Sequence, residues 1–123
     1  MPATYHIDKK KSWIEIKISG ESTAHALAQF TRQMQADPDY SDDLSGVVDC
    51  RELANVFELT EVRDFAEDAN RRPGPPWRSK RAVIVASTAH YSITRMFMLF
   101  ADSSPIQYGV FYSRETAMEW LRE

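Results

Sequence analysis

The sequence predicts an α/β fold: a mixed, mostly parallel five-stranded sheet with an antiparallel N-terminal edge strand and about four helices. Two observations predict it. Short apolar, β-branched runs begin near residues 13, 46, 81 and 107, the spacing of successive βα units. Between them lie segments with apolar residues at helical spacing. The alternation is clearest at the end, where Arg81–Ala86 (RAVIVA), Ser87–Phe100, Tyr108–Tyr112 (YGVFY) and Ser113–Leu121 read strand, helix, strand, helix.

Each element has its own reason. Thr4–Asp8 and Trp13–Ser19 flank the turn Lys9–Lys11, and Trp13, Glu15 and Lys17 alternate with Ile14, Ile16 and Ile18. That period of two predicts a hairpin with one half-buried strand, and the lysines discourage further edge pairing. Gly20 ends it. Ser22 or Thr23 is suited to cap a helix running to about Ala36, with Ala24, Leu27, Thr31 and Met34 on one stripe and Phe30 beside it. Asp37–Asp43 (DPDYSDD) is a turn-rich acidic loop. Gly46–Cys50 (GVVDC) predicts a short buried strand. Thr60 is expected to cap a helix to Asn70 that turns Val62, Phe65, Ala66 and Ala69 inward. Arg71–Lys80 (RRPGPPWRSK) carries three prolines within four residues, which neither a helix nor a central strand tolerates.

Composition excludes several function classes. The 123 residues suit one domain over 1–123, and 43% hydrophobic with 27% charged residues argues against disorder. Fifteen basic against eighteen acidic side chains leave a net charge of −3, whereas a nucleic-acid binder normally shows basic excess. No run approaches the roughly eighteen apolar residues of a membrane span, so no membrane insertion is expected. The N-terminal stretch lacks a signal-peptide core, and the lone Cys50 suits a reducing compartment; a cytoplasmic location is expected.

Landmarks in order and spacing carry a family resemblance. They are the hairpin and helix followed by Pro38 and Tyr40, and the strand Val47–Val48–Asp49. Next come Ala82-Val83-Ile84-Val85 leading into His90-Tyr91 and Arg95-Met96-Phe97, then Val110-Phe111, and Ala117-Met118-Glu119-Trp120-Leu121. Over nearly its whole length the chain resembles small bacterial SpoIIAA-like proteins related to STAS domains. The resemblance implies a βα superhelix and, in the best-understood relatives, a protein-interaction switch without catalysis, phosphorylated on a serine after the third strand. The corresponding stretch, Val56–Glu61 (VFELTE), lacks the Asp-Ser-Ser-Gly signature, and Glu58 falls where that serine would be. The switch is therefore not carried over.

Candidate sites are few. In open parallel sheets ligands bind outside the carboxyl ends of the strands. Arg51, with the helix start at Ser87 and Thr88 and the nearby His90, is the candidate anion site. The competing reading is a helix cap and a surface ion pair. His6, His25 and His90 lie on different elements, none with a second ligand at metal spacing. Cys50 follows a buried strand, where a thiol behaves as a small hydrophobe. No catalytic constellation and no cofactor is expected. Arg71, Arg72, Arg78, Lys80 and Arg81 surround Pro73, Pro75, Pro76 and Trp77; this loop either grips a partner or is a plain connection with solvated arginines. In the third helix Ile93, Met96, Phe97 and Phe100 are expected to face the core, Leu99 to flank them and Met98 to lie opposite. A helix apolar nearly all round is covered on a second side. Trp77, Met98 and Leu99 are accordingly the candidate partner interface.

Two functional readings follow. The first is a non-enzymatic interaction or regulatory module that binds a protein partner or associates with itself as a homodimer. The second is a carrier of a small apolar, lipid-like ligand, because the superhelix is similar to that of CRAL-TRIO domains. An enzyme ranks last, since nucleophile, base and orienting group do not occur together.

Overall fold

Strands laid side by side in chain order organise the molecule. In the computed structural model, which describes residues 3–123, β1 (Ala3–Asp8) pairs antiparallel with β2 (Trp13–Gly20). Then β3 (Ser45–Leu53), β4 (Ser79–Ile84) and β5 (Ile106–Phe111) continue the sheet in parallel. This is the mixed five-stranded sheet that the sequence predicts. The helices are α1 (Ala24–Gln35), α2 (Leu59–Asn70), α3 (Thr88–Phe100) and α4 (Arg114–Leu121).

The hairpin turns through a short 3-10 segment, Lys9–Lys11, whose amides at Lys10 and Lys11 donate to Asp8 Oδ1 at 3.1 and 3.3 Å. Three helices start on hydroxyl caps. Thr23 Oγ1 accepts from the Ala26 amide at 3.0 Å, Ser87 Oγ from His90 at 3.1 Å, and Ser113 Oγ from Thr116 at 3.2 Å. The cap expected at Thr60 is misplaced. Glu58 is the N-cap of α2, and its amide donates to Glu61 Oε1 at 2.9 Å. Glu61, three residues on, supplies the acceptor that makes an earlier start favourable; Thr60 is exposed in the first turn.

Right-handed crossovers between strands in sequential order put every crossover helix on the same face. Hence α1, α2 and α3 share one side, and only α4, which follows the last strand, folds onto the other. On the α4 side Val47, Ala82, Ile84 and Ala117 are fully buried, ringed by Trp13, Phe111, Met118, Trp120 and Leu121. On the three-helix side Ile14, Ile16 and Ile18 pack with Met34, and Val83, Val85 and Val110 form a second cluster. Met98, expected on the far side of α3, packs against that second cluster. It stands seven residues beyond Tyr91, so the two share a face of the helix.

Gly46 sits where β3 lies closest to β2, opposite Ile14. A Cβ there would stand 1.7 Å from the Ile14 carbonyl oxygen, and backbone in a paired strand cannot retreat. Gly46→Ala is expected to destabilise by about 3 kcal/mol or more, beyond ordinary overpacking. A urea midpoint unchanged from wild type would refute the close approach.

Candidate functional site

Three helices do not fill the face they cover. Although α3 is strongly apolar, none of its residues is buried, and Leu27, Phe30 and Phe65 on α1 and α2 are half-exposed. The space they face is a cavity of about 520 Å³ between the sheet and the three helices. Its sheet wall is Ile16, Ile18, Val48, Cys50, Val83 and Val85, and Leu27, Phe30, Val62, Ala69, Ile93 and Phe97 close it from above. The volume lies within the range of about 300–1,000 Å³ usual for small-molecule sites.

Amide side chains join the helix ends around this space. Asn55 accepts from the Ser22 amide at 2.7 Å and donates to the Ser22 carbonyl at 2.9 Å, joining the start of α1 to the loop before α2. The Asn55 carbonyl is 2.9 Å from His90 Nε2, at the start of α3. At the other end Asn70 donates to the Phe100 carbonyl at 2.8 Å and accepts from the Ser103 amide at 3.0 Å.

The cavity is polar at one end. Arg81, Tyr40, Tyr108, Asp42, Arg72 and Ser104 gather near the amino ends of β4 and β5. Arg72 Nε donates to Asp42 Oδ2 at 2.9 Å, and the Tyr40 hydroxyl to Asp42 Oδ1 at 2.9 Å. Burial pushes the Tyr40 phenol up to about 12 and raises that of Tyr108; both stay protonated donors. Arg81 is 3% exposed. Although it follows the basic loop in sequence, it is in phase with Val83 and Val85, so its side chain falls on the cavity face.

The anion site expected from Arg51, Ser87, Thr88 and His90 does not assemble. Arg51 holds Asp49 through two bonds of 3.0 and 2.8 Å. Asp49 and Arg51 are in phase with Val47 and so share the α4 face. The start of α3 lies on the other face, where Ser87 Oγ caps it and stands 2.6 Å from His90 Nδ1, and Thr88 is exposed. With Nε2 on the Asn55 carbonyl, both ring nitrogens of His90 are engaged. His6 and His25 are exposed on β1 and α1, and among the described residues no three His, Cys, Asp or Glu side chains are placed to share a metal ion.

Comparison with known proteins addresses the fold. A crystal structure of an uncharacterized protein of the DUF3478 family, with a SpoIIAA-like fold, from Shewanella loihica PV-4 superposes over 97% of this chain and 93% of its own. The TM-score is 0.61 at 15% sequence identity. The fold is SpoIIAA-like. No family model matches the sequence, and no curated protein does.

In this SpoIIAA-like chain the basic loop is not a free cationic grip. Arg71 pairs with Asp68 at 2.8 Å, Arg72 with Asp42, and Arg78 with Asp43 at 2.8 Å. Lys80 lies 5.0 Å from the centre of the Trp120 ring and donates to two C-terminal carbonyls. Trp77 is 59% exposed, in a left-handed backbone conformation with φ of 61°. Its ring, Met98 and the 65% exposed Leu99 come together around a groove of about 250 Å³, with Arg95, Ala101, Gln107 and Tyr108. The two separate sequence features are thus one surface. No helix among the described residues is long and apolar enough to cross a membrane.

Burial and the neighbouring Asp49 push the Cys50 thiol up to about 12. At pH 8 its thiolate fraction should be about a thousandfold below that of an unfolded cysteine. Reaction with an aromatic disulfide reagent is expected to be at least about tenfold slower in the native protein than in urea, since the higher nucleophilicity of a raised-pKa thiolate offsets part of its scarcity. Comparable rates would show an accessible thiol and a different cavity wall.

Proposed function

We propose that this chain is a non-catalytic binder, a carrier or sensor, of a small apolar ligand held between the sheet and α1, α2 and α3. The cavity is the observation that carries the reading. The space, about 520 Å³, is open to solvent, and its walls are mostly apolar; a hydrocarbon that displaced water from those walls would gain roughly 25 cal/mol for each Å² of apolar surface covered. The lone, unreactive Cys50 accords with a cytoplasmic setting, which belongs to the same proposal.

Neutral alkanols from octanol to tetradecanol test it by displacement of a fluorescent probe from delipidated protein. Affinity should rise about fourfold per methylene until the cavity is full, and Ala69→Phe, which projects into the space, should weaken binding at least tenfold with the fold intact. Absence of binding at every chain length would dispose of the proposal.

A second reading, self-association as a homodimer, draws on the Trp77–Leu99 groove, where two large apolar side chains face solvent. Under it Leu99→Asp and Trp77→Ala should each shift a dimer toward monomer in light scattering with melting temperature nearly unchanged. Met98 is unsuited to this test, since it packs on the sheet. A wild-type monomer at all concentrations would end this reading.

A further inference from the structure

Arg81 is the least expected residue in the cavity wall. It is 3% exposed; Nε donates to the Leu44 carbonyl at 3.2 Å, Nη2 makes a long contact with the Ser41 carbonyl at 3.5 Å, and the guanidinium also interacts with the Tyr40 hydroxyl, which stands between it and Asp42. Its guanidinium lies 5.3 Å from the centre of the Tyr40 ring. Among the described residues no carboxylate oxygen comes within 4.0 Å of it. Asp42, the acid of that end, is engaged by Arg72 and by the Tyr40 hydroxyl. Three arginines (Arg32, Arg72, Arg81) line the cavity against two acids, Asp42 and Asp68, and Asp68 is bound by Arg71 at 2.8 Å. Carbonyl dipoles and a ring face ease the desolvation of a guanidinium but leave its charge standing, and a buried charge calls for a counter-ion. At the other end the walls are Leu53, Phe57, Val62 and Val85, with the ring nitrogens of His90 already bonded. A site with one cationic end and one apolar end matches a ligand built the same way.

We infer that the cavity takes a single-chain anionic amphiphile, its alkyl chain along the apolar walls and its carboxylate or phosphate monoester on Arg81. This rests on the apolar-ligand reading above and names the class of ligand. Tyr108, beside Arg81 in the β4–β5 register, and Tyr40 flank the head group as phenols, and Arg72, with a side chain 33% exposed, stands as a second cation.

Calorimetric titration of delipidated protein with dodecanoate, dodecyl phosphate, dodecanol and methyl dodecanoate tests the inference without altering the protein. An anionic ligand is expected to bind at least about tenfold tighter than either neutral one, and the tighter of the two anions names the head group. Arg81→Met should erase that preference while leaving dodecanol within about threefold of wild type. Should that variant not fold, Arg81→Lys, which keeps the charge but loses the planar fork, should reduce the preference. Equal binding of acid and alcohol by wild type would overturn the inference and leave the apolar-ligand reading intact. Failure of all four ligands would overturn both. A preference that survives in folded Arg81→Met would remove Arg81 from the site.

Discussion

The right-handedness of the βα crossover governs this structure more than any single contact. Applied three times to strands in sequential order, it places α1, α2 and α3 on one face, and α4 alone covers the other. The two faces then solve different packing problems. Beneath α4 the small residues Ala82 and Ala117 let helix and sheet meet closely. On the opposite face three helices are spaced by their strands and connected at their ends by Asn55 and Asn70. Their mid-sections are left without full contact with the sheet. The cavity is the space left between helices whose ends are fixed by hydrogen bonds.

Charge is distributed with the same economy. The acidic loop before β3 and the proline-containing loop before β4 meet through Arg72–Asp42 and Arg78–Asp43. The half-exposed Arg78–Asp43 pair contributes little stability, about 0–1 kcal/mol, and Arg72–Asp42 is more buried; both neutralise arginines that would otherwise attract polyanions. The ring of Trp77 stays exposed while the Trp77 and Arg78 amides donate to the Ser104 and Pro105 carbonyls, and Ser79 and Arg81 turn inward onto the Asp42 and Leu44 carbonyls. One short segment therefore presents an apolar surface outside and a cation inside.

Much of the fold was legible because it depends on residue period. Ile14, Ile16 and Ile18 announce a one-sided strand, and Ser87 and Ser113 announce helix starts, as the structure has them; of the two caps open for the first helix, Ser22 and Thr23, the structure uses Thr23. The misreadings have local causes. Thr60 yields the cap to Glu58 because Glu61 reaches back three residues to the Glu58 amide, and Met98, expected outward, follows Tyr91 onto the sheet. Arg51 stands at the carboxyl end of its strand, where ligands bind in open parallel sheets, but Asp49 already occupies it. The polar end of the cavity lies at the amino ends instead. A signal was present there, since Arg81, Val83 and Val85 share one phase, and a charged residue in step with a core face marks an interior position. An apolar pocket under the third helix follows only from the likeness to CRAL-TRIO domains; its volume was not legible, because volume depends on helix separation and no pattern of residue types encodes a distance.

Tyr108 belongs to both hollows of the molecule: its ring borders the cavity and also the Trp77–Leu99 groove, and it meets Phe97 edge-on at 4.8 Å. Were both occupied as proposed, a displacement of that ring by one occupant would alter the room left for the other, and any free energy so exchanged would be equal in both directions, whichever occupant arrived first.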